Sequence, residues 1–175
     1  MTYFSKFPKI DYQIGKTRYI ATDLMLRYKF IEAVLKNPLS YYLYRWKDGD
    51  RPDIVALNYY GSTDFDWVVM LSAEAFHWLG DFPVPEKEFD SWILQKYNTT
   101  DLNSLKSTIK EYRDIDGDVI DQATYNSYPP EERTAVYIYD YEEELNEKKR
   151  MVRLVSVDYL QQIITEFDRL IGDIK

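Results

Sequence analysis

At 175 residues the chain has room for one full domain or two small ones, and its composition, 45% hydrophobic and 30% charged, is typical of a globular protein with a buried core. Its net charge of −8 argues against nucleic-acid binding, because that affinity comes mainly from Lys and Arg side chains that neutralise phosphates. The chain contains no cysteine, which excludes disulfides and thiolate metal sites.

The N-terminal sequence MTYFSKFPKIDYQ lacks the apolar segment of a secretory signal. No apolar run in the sequence approaches the length needed to span a bilayer. We therefore expect no membrane partner, and a protein that stays in the cytosol or enters an assembly there.

Aromatic residues are unusually frequent, with 17 Tyr, 8 Phe and 4 Trp. Tyr and Trp bring a large contact area at a low entropic cost and are enriched in the cores of protein interfaces. Two explanations stay open from composition alone: an aromatic-rich core, and a set of aromatic contacts with other subunits.

Residues 1–20 show no clear periodicity and contain Pro8 and Gly15, so we predict an extended arm. Its aromatic residues have no internal partner pattern, which suggests that the arm lies across a neighbouring protein and orders on binding. On this hypothesis, deletion of residues 1–20 would weaken assembly and spare the fold. The next segment, Thr22 to Lys36, is predicted to be a helix with Thr22 as its cap, ended by Asn37-Pro38.

The stretch from Tyr41 to Glu74 organises the rest of the chain. It opens with an aromatic run, Tyr41 to Trp46, which is predicted to be a strand because aromatic side chains pack well on a half-buried pleated surface. The turn residues Asp48-Gly49-Asp50 end this strand.

Two short helices are predicted after the strand. Asp50 caps the first, Pro52 lies in its first turn, and Gly61 ends it because glycine accepts the left-handed cap conformation. Ser62 or Thr63 caps the second, in which three apolar side chains recur at helical spacing: Trp67, Met70 and Leu71. The predicted order is therefore strand, turn, helix, turn, helix.

A loop rich in aromatic and proline residues runs from Ala75 to Pro85 and contains His77, the only histidine. A lone histidine without a second histidine, a cysteine or a clear acidic partner is weak evidence for catalysis or metal binding, so we interpret it as structural. Pro85 opens a predicted helix that runs to Tyr97. The aromatic stripe of this helix predicts a core contact, formed by Phe89, Trp92 and Ile93.

A short helical turn is predicted at Thr100 to Lys106, and two strand-like runs follow, STIKEYRDI and DVIDQATY. The Asp116-Gly117 pair between the runs predicts a hairpin in which both turn residues have positive φ. Four acids nearby suggest a calcium site, but counting from the first of them places Gly117 at position four and Tyr125 at position twelve, which does not fit an EF-hand. We interpret these acids as turn residues: Asp114, Asp116, Asp118 and Asp121.

The C-terminal part is predicted to contain strands at Thr134 to Tyr139 and Arg153 to Val157, with a charged helix between them at Tyr141 to Lys149. Ser156 caps the last helix. The apolar side chains of that helix form one stripe: Leu160, Ile163, Ile164, Phe167, Leu170 and Ile171. The stripe needs a cover, and periodicity cannot choose between the chain's own sheet and a helix of another subunit.

The sequence contains no motif of an enzyme active site, such as a P-loop, a dinucleotide-binding fingerprint, a nucleophile elbow or a zinc-binding HExxH. Its many carboxylates could supply the acid pair of a glycosidase, but nothing in the sequence singles out two of them. We therefore predict a protein that is not an enzyme, with no catalytic residues, no cofactor and no metal.

Five short segments carry a first resemblance: Tyr42-Leu43-Tyr44, Gly49-Asp50, Ile54-Val55-Ala56, Tyr60-Gly61 and Trp67-Val68-Val69-Met70. Together they resemble the LysM module, which has the order strand-helix-helix-strand. LysM repeats commonly place an Asn just after the second helix, where this chain has Ser72-Ala73-Glu74. We therefore do not expect glycan binding, the usual role of free LysM modules.

A second resemblance covers roughly Thr22 to Ile171. It rests on Arg51-Pro52, Tyr60-Gly61, Trp67, Met70, Trp78, the Pro83 to Pro85 break, Ile93 to Tyr97, the Asp116-Gly117 hairpin, and the tail Tyr141 to Ile171 with Asn146-Glu147-Lys148-Lys149-Arg150. These features look similar to the baseplate wedge protein 53 family of contractile-tailed phages.

This second resemblance implies a structural subunit without chemistry of its own, which helps to join the wedges of a tail baseplate. Its implied partners are other baseplate wedge and tail proteins in a hetero-oligomeric assembly. The assembly would form in the host cytoplasm and lie in the tail baseplate of the virion. The alternative that the Tyr41 to Glu74 stretch leaves open is a LysM-type peptidoglycan-binding protein.

The predicted fold class is α+β. It combines an N-terminal arm and helix at residues 1–40, a LysM-like strand-helix-helix module at 41–80, and a helix, a β-hairpin and a C-terminal amphipathic helix at 81–175. The predicted interface draws on the arm, the module and the last helix. Its residues are Tyr3, Phe4, Phe7, Tyr12, Tyr59, Tyr60, Leu160, Ile164, Phe167 and Ile171.

Overall fold

The computed structural model describes residues 3–26, 28 and 38–172. The chain mixes α-helices with small antiparallel sheets, so the prediction of a protein with both α and β structure is confirmed at that level. It forms two compact units: unit 1 contains residues 1–82 and 151–175, and unit 2 contains residues 83–150. The C-terminal strand and helix therefore belong to the same unit as the N-terminal half.

Within the described residues the strands are β1 (Lys9–Ile14), β2 (Thr17–Thr22), β3 (Tyr41–Arg45), β4 (Ile109–Asp114), β5 (Val119–Ile120), β6 (Arg133–Tyr137) and β7 (Met151–Val155). The α-helices are α1 (Pro52–Tyr60), α2 (Asp66–Ser72), α3 (Trp78–Asp81), α4 (Glu86–Lys96), α5 (Leu102–Ser107), α6 (Gln122–Ser127), α7 (Ile138–Lys148) and α8 (Val157–Gly172). Short 3-10 helices lie at Tyr3–Lys6, Pro38–Ser40, Thr63–Phe65 and Pro130–Glu132.

The N-terminal segment is a hairpin on a short 3-10 helix, and the prediction of an extended arm is wrong. Strands β1 and β2 pair antiparallel over their full lengths. Gly15 has a φ of 63° in the turn between them, a conformation that glycine adopts without a steric penalty. The main-chain N–H of Asp23 donates to the carbonyl of Pro8 at 2.9 Å and closes the base of the hairpin.

The helix predicted at Thr22 to Lys36 does not begin where the sequence suggested. Thr22 is the last residue of β2, so it cannot cap a helix. A turn follows, in which the Asp23 carboxylate accepts the main-chain N–H of Met25 at 3.0 Å. The remainder of the predicted helix lies mainly on residues 27 and 29–37, outside the described residues.

The centre of unit 1 is a two-stranded sheet with helices α1 and α2 on one face. The elements predicted for Tyr41 to Glu74 are confirmed as β3, α1 and α2. Strand β3 pairs antiparallel with β7, from Tyr41 opposite Val155 to Arg45 opposite Met151. The partner strand thus comes from beyond unit 2, more than 100 residues along the chain.

Of the cap and turn residues predicted around α1 and α2, Gly61 and Ser62 act as predicted and Asp50 does not. Asp50 does not cap α1; its carboxylate accepts the Tyr44 hydroxyl at 2.8 Å and the Lys47 main-chain N–H at 2.7 Å, and so closes the turn before the helix. Gly61, with a φ of 82°, ends α1 as predicted. Ser62 also acts as predicted, because its hydroxyl accepts a main-chain N–H in the following 3-10 turn.

The apolar stripe of α8 packs against the chain itself except at Leu170, which is 38% exposed. Leu160, Phe167 and Ile171 are buried in the core of unit 1. They join side chains from the sheet and from helices α1 and α2, including Trp46, Val55, Val68, Val69 and Leu154. Periodicity left open whether the chain itself or another subunit covers this stripe. The structure places the three buried side chains in the protein's own core.

Unit 2 has a smaller core, centred on Phe89, Ile93 and Leu105. Two buried polar residues of α7, Asn146 and Glu142, form side-chain hydrogen bonds within this unit. The Asn146 side chain accepts the Val84 main-chain N–H at 2.7 Å and donates to the Val84 carbonyl at 2.9 Å. The Glu142 carboxylate accepts Lys96 Nζ at 2.6 Å and the hydroxyl of Tyr97 at 2.7 Å.

The helices predicted at Pro85 to Tyr97 and Thr100 to Lys106 are confirmed as α4 and α5. The strand predicted at Thr134 to Tyr139 ends earlier, at Tyr137, because α7 begins at Ile138. Strand β7 lies two residues before the predicted position, and the Ser156 side chain accepts the main-chain N–H of Asp158 at 3.4 Å at the start of α8.

The Asp-Gly hairpin of unit 2 is confirmed, but its details differ from the prediction. Gly117 has a φ of 86°, whereas Asp116 is not among the described residues with positive φ. Asp114 fixes the turn by accepting main-chain N–H groups from Asp116 and Asp118. Strand β5 is only two residues long, because Asp121 then caps α6.

Tyr60 provides a test of the long-range pairing. Its buried hydroxyl donates to the carbonyl of Val155, the last residue of β7, at 2.8 Å. Tyr60→Phe leaves that carbonyl without this partner, so we expect a loss of about 1–2 kcal/mol in the free energy of unfolding, measured by urea denaturation. Tyr59→Phe is the matched control and is expected to change stability by less than about 0.5 kcal/mol. Equal losses in the two variants would contradict this role for Tyr60.

Candidate protein interaction surface

The N-terminal hairpin carries most of its apolar side chains on one face, although Ile20 lies on the opposite face and Thr17 shares the apolar one. Alternate residues of a strand point to opposite faces, and the β1–β2 register places one apolar set together. We name this set the apolar hairpin face; it consists of Ile10, Tyr12, Ile14, Tyr19 and Ala21. The opposite face carries Lys9, Asp11, Gln13, Arg18, Ile20 and Thr22.

The apolar hairpin face is open to solvent. Ile14 is 62% exposed, and Ile10, Tyr12 and Tyr19 are each 44% exposed. Tyr12 and Tyr19 are cross-strand partners whose rings stack with centroids 5.4 Å apart. A two-stranded hairpin is marginally stable by itself in water, so a sheet of this size with an uncovered apolar face gains stability when a partner covers that face.

The base of the hairpin is anchored in unit 1. Phe7 is 3% exposed, and its ring lies 5.6 Å from that of Tyr28. Tyr3 stacks on Trp67 and on Phe167, with centroid distances of 5.3 and 5.2 Å. Deletion of residues 1–20 would remove these core contacts, so we expect it to destabilise unit 1 and not to spare the fold.

The residues of the predicted interface divide into three groups. Phe4, at 56%, and Tyr12 are exposed; Tyr3, Tyr59 and Ile164 are half-buried against the core of unit 1. The remaining residues are buried in that core, which corrects their assignment to an interface: Phe7, Tyr60, Leu160, Phe167 and Ile171. The structure adds Ile10, Ile14, Tyr19 and Ala21, which the sequence signalled only through their alternation on the two sides of Gly15.

His77 is exposed, and the predicted loop contains a helical turn, α3. The main-chain N–H groups of Phe76 and His77, just before this helix, donate to the carboxylate of Asp81, its last residue. No group of three His, Cys, Asp or Glu side chains within the described residues is placed to hold a metal ion. Among the described helices, none has the length and apolar character needed to cross a membrane.

The largest pKa shifts belong to tyrosine hydroxyls. Burial is the main cause in each case, and it raises the pKa to about 12 for Tyr3, Tyr44, Tyr97 and Tyr139. A carboxylate acceptor adds to the effect at three of them: Asp50 beside Tyr44, Glu142 beside Tyr97, and Asp90 beside Tyr139. These hydroxyls serve packing and hydrogen bonding in their neutral form.

No family model matches this chain, and no curated protein matches it. The functional argument therefore rests on the surface of the molecule. The apolar hairpin face is an exposed apolar part of this surface, anchored at its base by the buried ring of Phe7 and open to solvent beyond it.

The hairpin can be tested separately from the core that anchors it. Lys9 and Thr22 are cross-strand partners, so a variant that replaces residues 10–21 with a two-glycine turn keeps Phe7 and the base of the hairpin. We expect the free energy of unfolding to change by less than about 1 kcal/mol, because the removed side chains are largely exposed. Phe7→Ala is the comparison and is expected to cost about 3–5 kcal/mol. A similar large loss in the hairpin variant would contradict its separation from the core.

The raised tyrosine pKa values predict a loss of stability in alkali. The four pKa values of about 12 lie above the ordinary value of 10.0, so folding favours the neutral hydroxyl. The contribution is fully present below pH 10 and is lost as the pH rises towards about 12. We expect tyrosinate absorbance and the loss of circular dichroism to rise together in this range. Ionisation of all tyrosines near pH 10 in a folded protein would contradict this.

Proposed function

We propose that this protein is a non-enzymatic structural subunit that joins neighbouring proteins in the baseplate of a phage contractile tail. The observation that carries the proposal is the apolar hairpin face, in which Ile10, Tyr12, Ile14 and Tyr19 are exposed on a hairpin with a buried base. Full burial of one such side chain contributes about 1.5–3 kcal/mol. A surface with several of them is therefore suited to a stable protein-protein contact.

The topology of unit 1 supports the LysM-like part of the proposal. The order β3, α1, α2, β7, with β3 and β7 antiparallel, is the strand-helix-helix-strand order of the module that the sequence resembles. The fourth element lies at Met151–Val155, after unit 2, and not within the predicted range 41–80. In this proposal the module is a scaffold for protein contacts, and unit 2 is an insertion between its third and fourth elements.

The proposed setting follows from the resemblance to the baseplate wedge protein 53 family. The partners would be other wedge and tail proteins in a hetero-oligomeric assembly. The protein would assemble in the host cytoplasm and reside in the tail baseplate of the virion. The aromatic content fits such a role, because exposed Tyr and Phe side chains, as in Tyr12, Tyr19 and Phe4, are frequent anchors of protein interfaces.

The experiment that tests the proposal mixes the purified chain with the products of neighbouring tail genes and measures the mass of any complex by light scattering. Tyr12→Thr/Ile14→Thr removes two side chains from the apolar hairpin face and keeps β-forming residues. We expect this variant to bind at least about tenfold more weakly. Asp11→Thr/Gln13→Thr alters the opposite face of the same strand and is expected to bind like the wild type.

Two results would contradict the proposal. One is the absence of any complex with tail proteins; the other is a complex in which both double variants bind equally well. A parallel sedimentation assay with purified peptidoglycan addresses the LysM-type alternative. Co-sedimentation that free glycan abolishes, in a chain that ignores tail proteins, would favour a cell-wall-binding role.

A further inference from the structure

The β3–β7 sheet has a second face, opposite to the one covered by α1 and α2. Side chains alternate along each strand, and the register places Leu43 opposite Arg153 and Arg45 opposite Met151 on this face. Tyr41 shares it, because the guanidinium carbon of Arg153 lies 5.3 Å from the centroid of the Tyr41 ring. We name these five residues the outer sheet face.

The outer sheet face is exposed and cationic. Leu43 is 52% and Met151 is 53% exposed, and the side chains of Arg45 and Arg153 are exposed as well. None of the five residues is acidic, although the whole chain has a net charge of −8. Apolar and positively charged side chains therefore alternate across this surface, which fits a partner that combines apolar side chains with carboxylates.

The chain itself contains a surface of that kind, in unit 2. Residues 83–150 hold sixteen acidic and nine basic side chains, a net charge of −7. Ile115 and Val119, on the β4–β5 turn, are 72% and 66% exposed, and Asp116 and Asp118 lie between them in sequence, both exposed. In the described part of the chain, neither of these two aspartates takes part in a salt bridge.

The β4–β5 turn is closed by hydrogen bonds within the chain, and Asp114 accepts three of them. The Asp114 carboxylate accepts the main-chain N–H groups of Asp116 and Asp118 at 3.0 and 2.9 Å. The N–H of Gly117 donates to the Asp114 carbonyl at 3.1 Å. Such preorganisation lowers the entropic cost of binding, because the turn does not have to be ordered in the complex.

We propose that the outer sheet face of one copy binds the β4–β5 turn of a second copy. Leu43 and Met151 would contact Ile115 and Val119, and the two arginines would face the two aspartates. The contact joins two different surfaces, so it is heterologous and extends into a ring or a chain of subunits. These few residues bury less than the roughly 800 Å² per partner of a standard interface, so the association is weak and salt-dependent.

The test is sedimentation of the full chain over about 10–500 µM, at about 20 mM and about 500 mM salt. We expect the average mass of the wild type to rise with concentration at low salt and to fall at high salt. The face variant, Arg45→Glu/Arg153→Glu, and the turn variant, Asp116→Lys/Asp118→Lys, should each associate at least about tenfold more weakly. An equimolar mixture of the two should associate again, because each contact then pairs opposite charges.

The control is Lys87→Glu/Lys106→Glu, which changes the net charge as much as the face variant does, at two exposed positions of unit 2. It should associate like the wild type. Circular dichroism verifies folding, and Arg45→Gln/Arg153→Gln, with an expected intermediate weakening, replaces the face variant if that variant does not fold.

Three outcomes would overturn the inference. The first is a monomeric wild type at every concentration and at low salt. The second is a mixture of folded face and turn variants that stays monomeric. The third is association that survives in the face variant and disappears in Tyr12→Thr/Ile14→Thr, which would place the contact on the apolar hairpin face. None of these depends on tail proteins, so the inference and the proposed function can fail separately.

Discussion

The antiparallel pairing of β3 with β7 is the constraint on which unit 1 depends. It joins Tyr41–Arg45 to Met151–Val155, two segments separated by both helices and the whole of unit 2. Closing so long a loop has an entropic cost that the strand pairing alone cannot offset. Buried side chains supply the remainder: Val152 and Leu154 enter the core, and Tyr60 and Ser72 hydrogen-bond to the main chain of Val155.

Unit 2 reduces this cost because it closes on itself. Asn146, near its end, makes two hydrogen bonds with the main chain of Val84, near its beginning, and the Asn146 side chain is buried. A buried amide with both groups paired holds these two segments together without loss of hydrogen bonding. The folded unit 2 therefore behaves as a short connection, and the effective loop between α2 and β7 is much smaller than the sequence separation.

The elements that the sequence predicted well are those whose signals are local. Gly61 ends α1, Ser62 caps the next turn, and Pro85 precedes α4, because caps and fixed dihedrals act within a few residues. The pairing of β3 with β7 could not be predicted in this way, since no local pattern links Tyr41 to Val155. Asp50 does not cap α1 because its carboxylate accepts hydrogen bonds from the Tyr44 hydroxyl and the Lys47 main-chain N–H instead. These bonds close the turn before the helix, which is an equally local use of the same side chain.

In the candidate surface, too, some features are predicted by neighbouring residues in the sequence, and others depend on distant parts of the chain. The alternation of Ile10, Tyr12 and Ile14 is a local strand signal, and Gly15 a local turn signal. Whether an aromatic side chain is a core residue or a surface residue is not local. Phe7 and Tyr12 lie five residues apart, yet Phe7 is 3% exposed and Tyr12 is 44% exposed, because Phe7 packs in the core of unit 1, where its ring lies 6.4 Å from that of Phe167 in α8.

The two exposed surfaces of unit 1 differ in the physics of any contact they make. The apolar hairpin face gains stability from the removal of apolar area from water, which salt does not screen. The outer sheet face carries Arg45 and Arg153, so its contacts weaken as ionic strength rises. A subunit that makes one contact of each kind can keep its apolar contact at a salt concentration that breaks its charged contact. Salt dependence is therefore the property that separates the two surfaces in any assembly the protein enters.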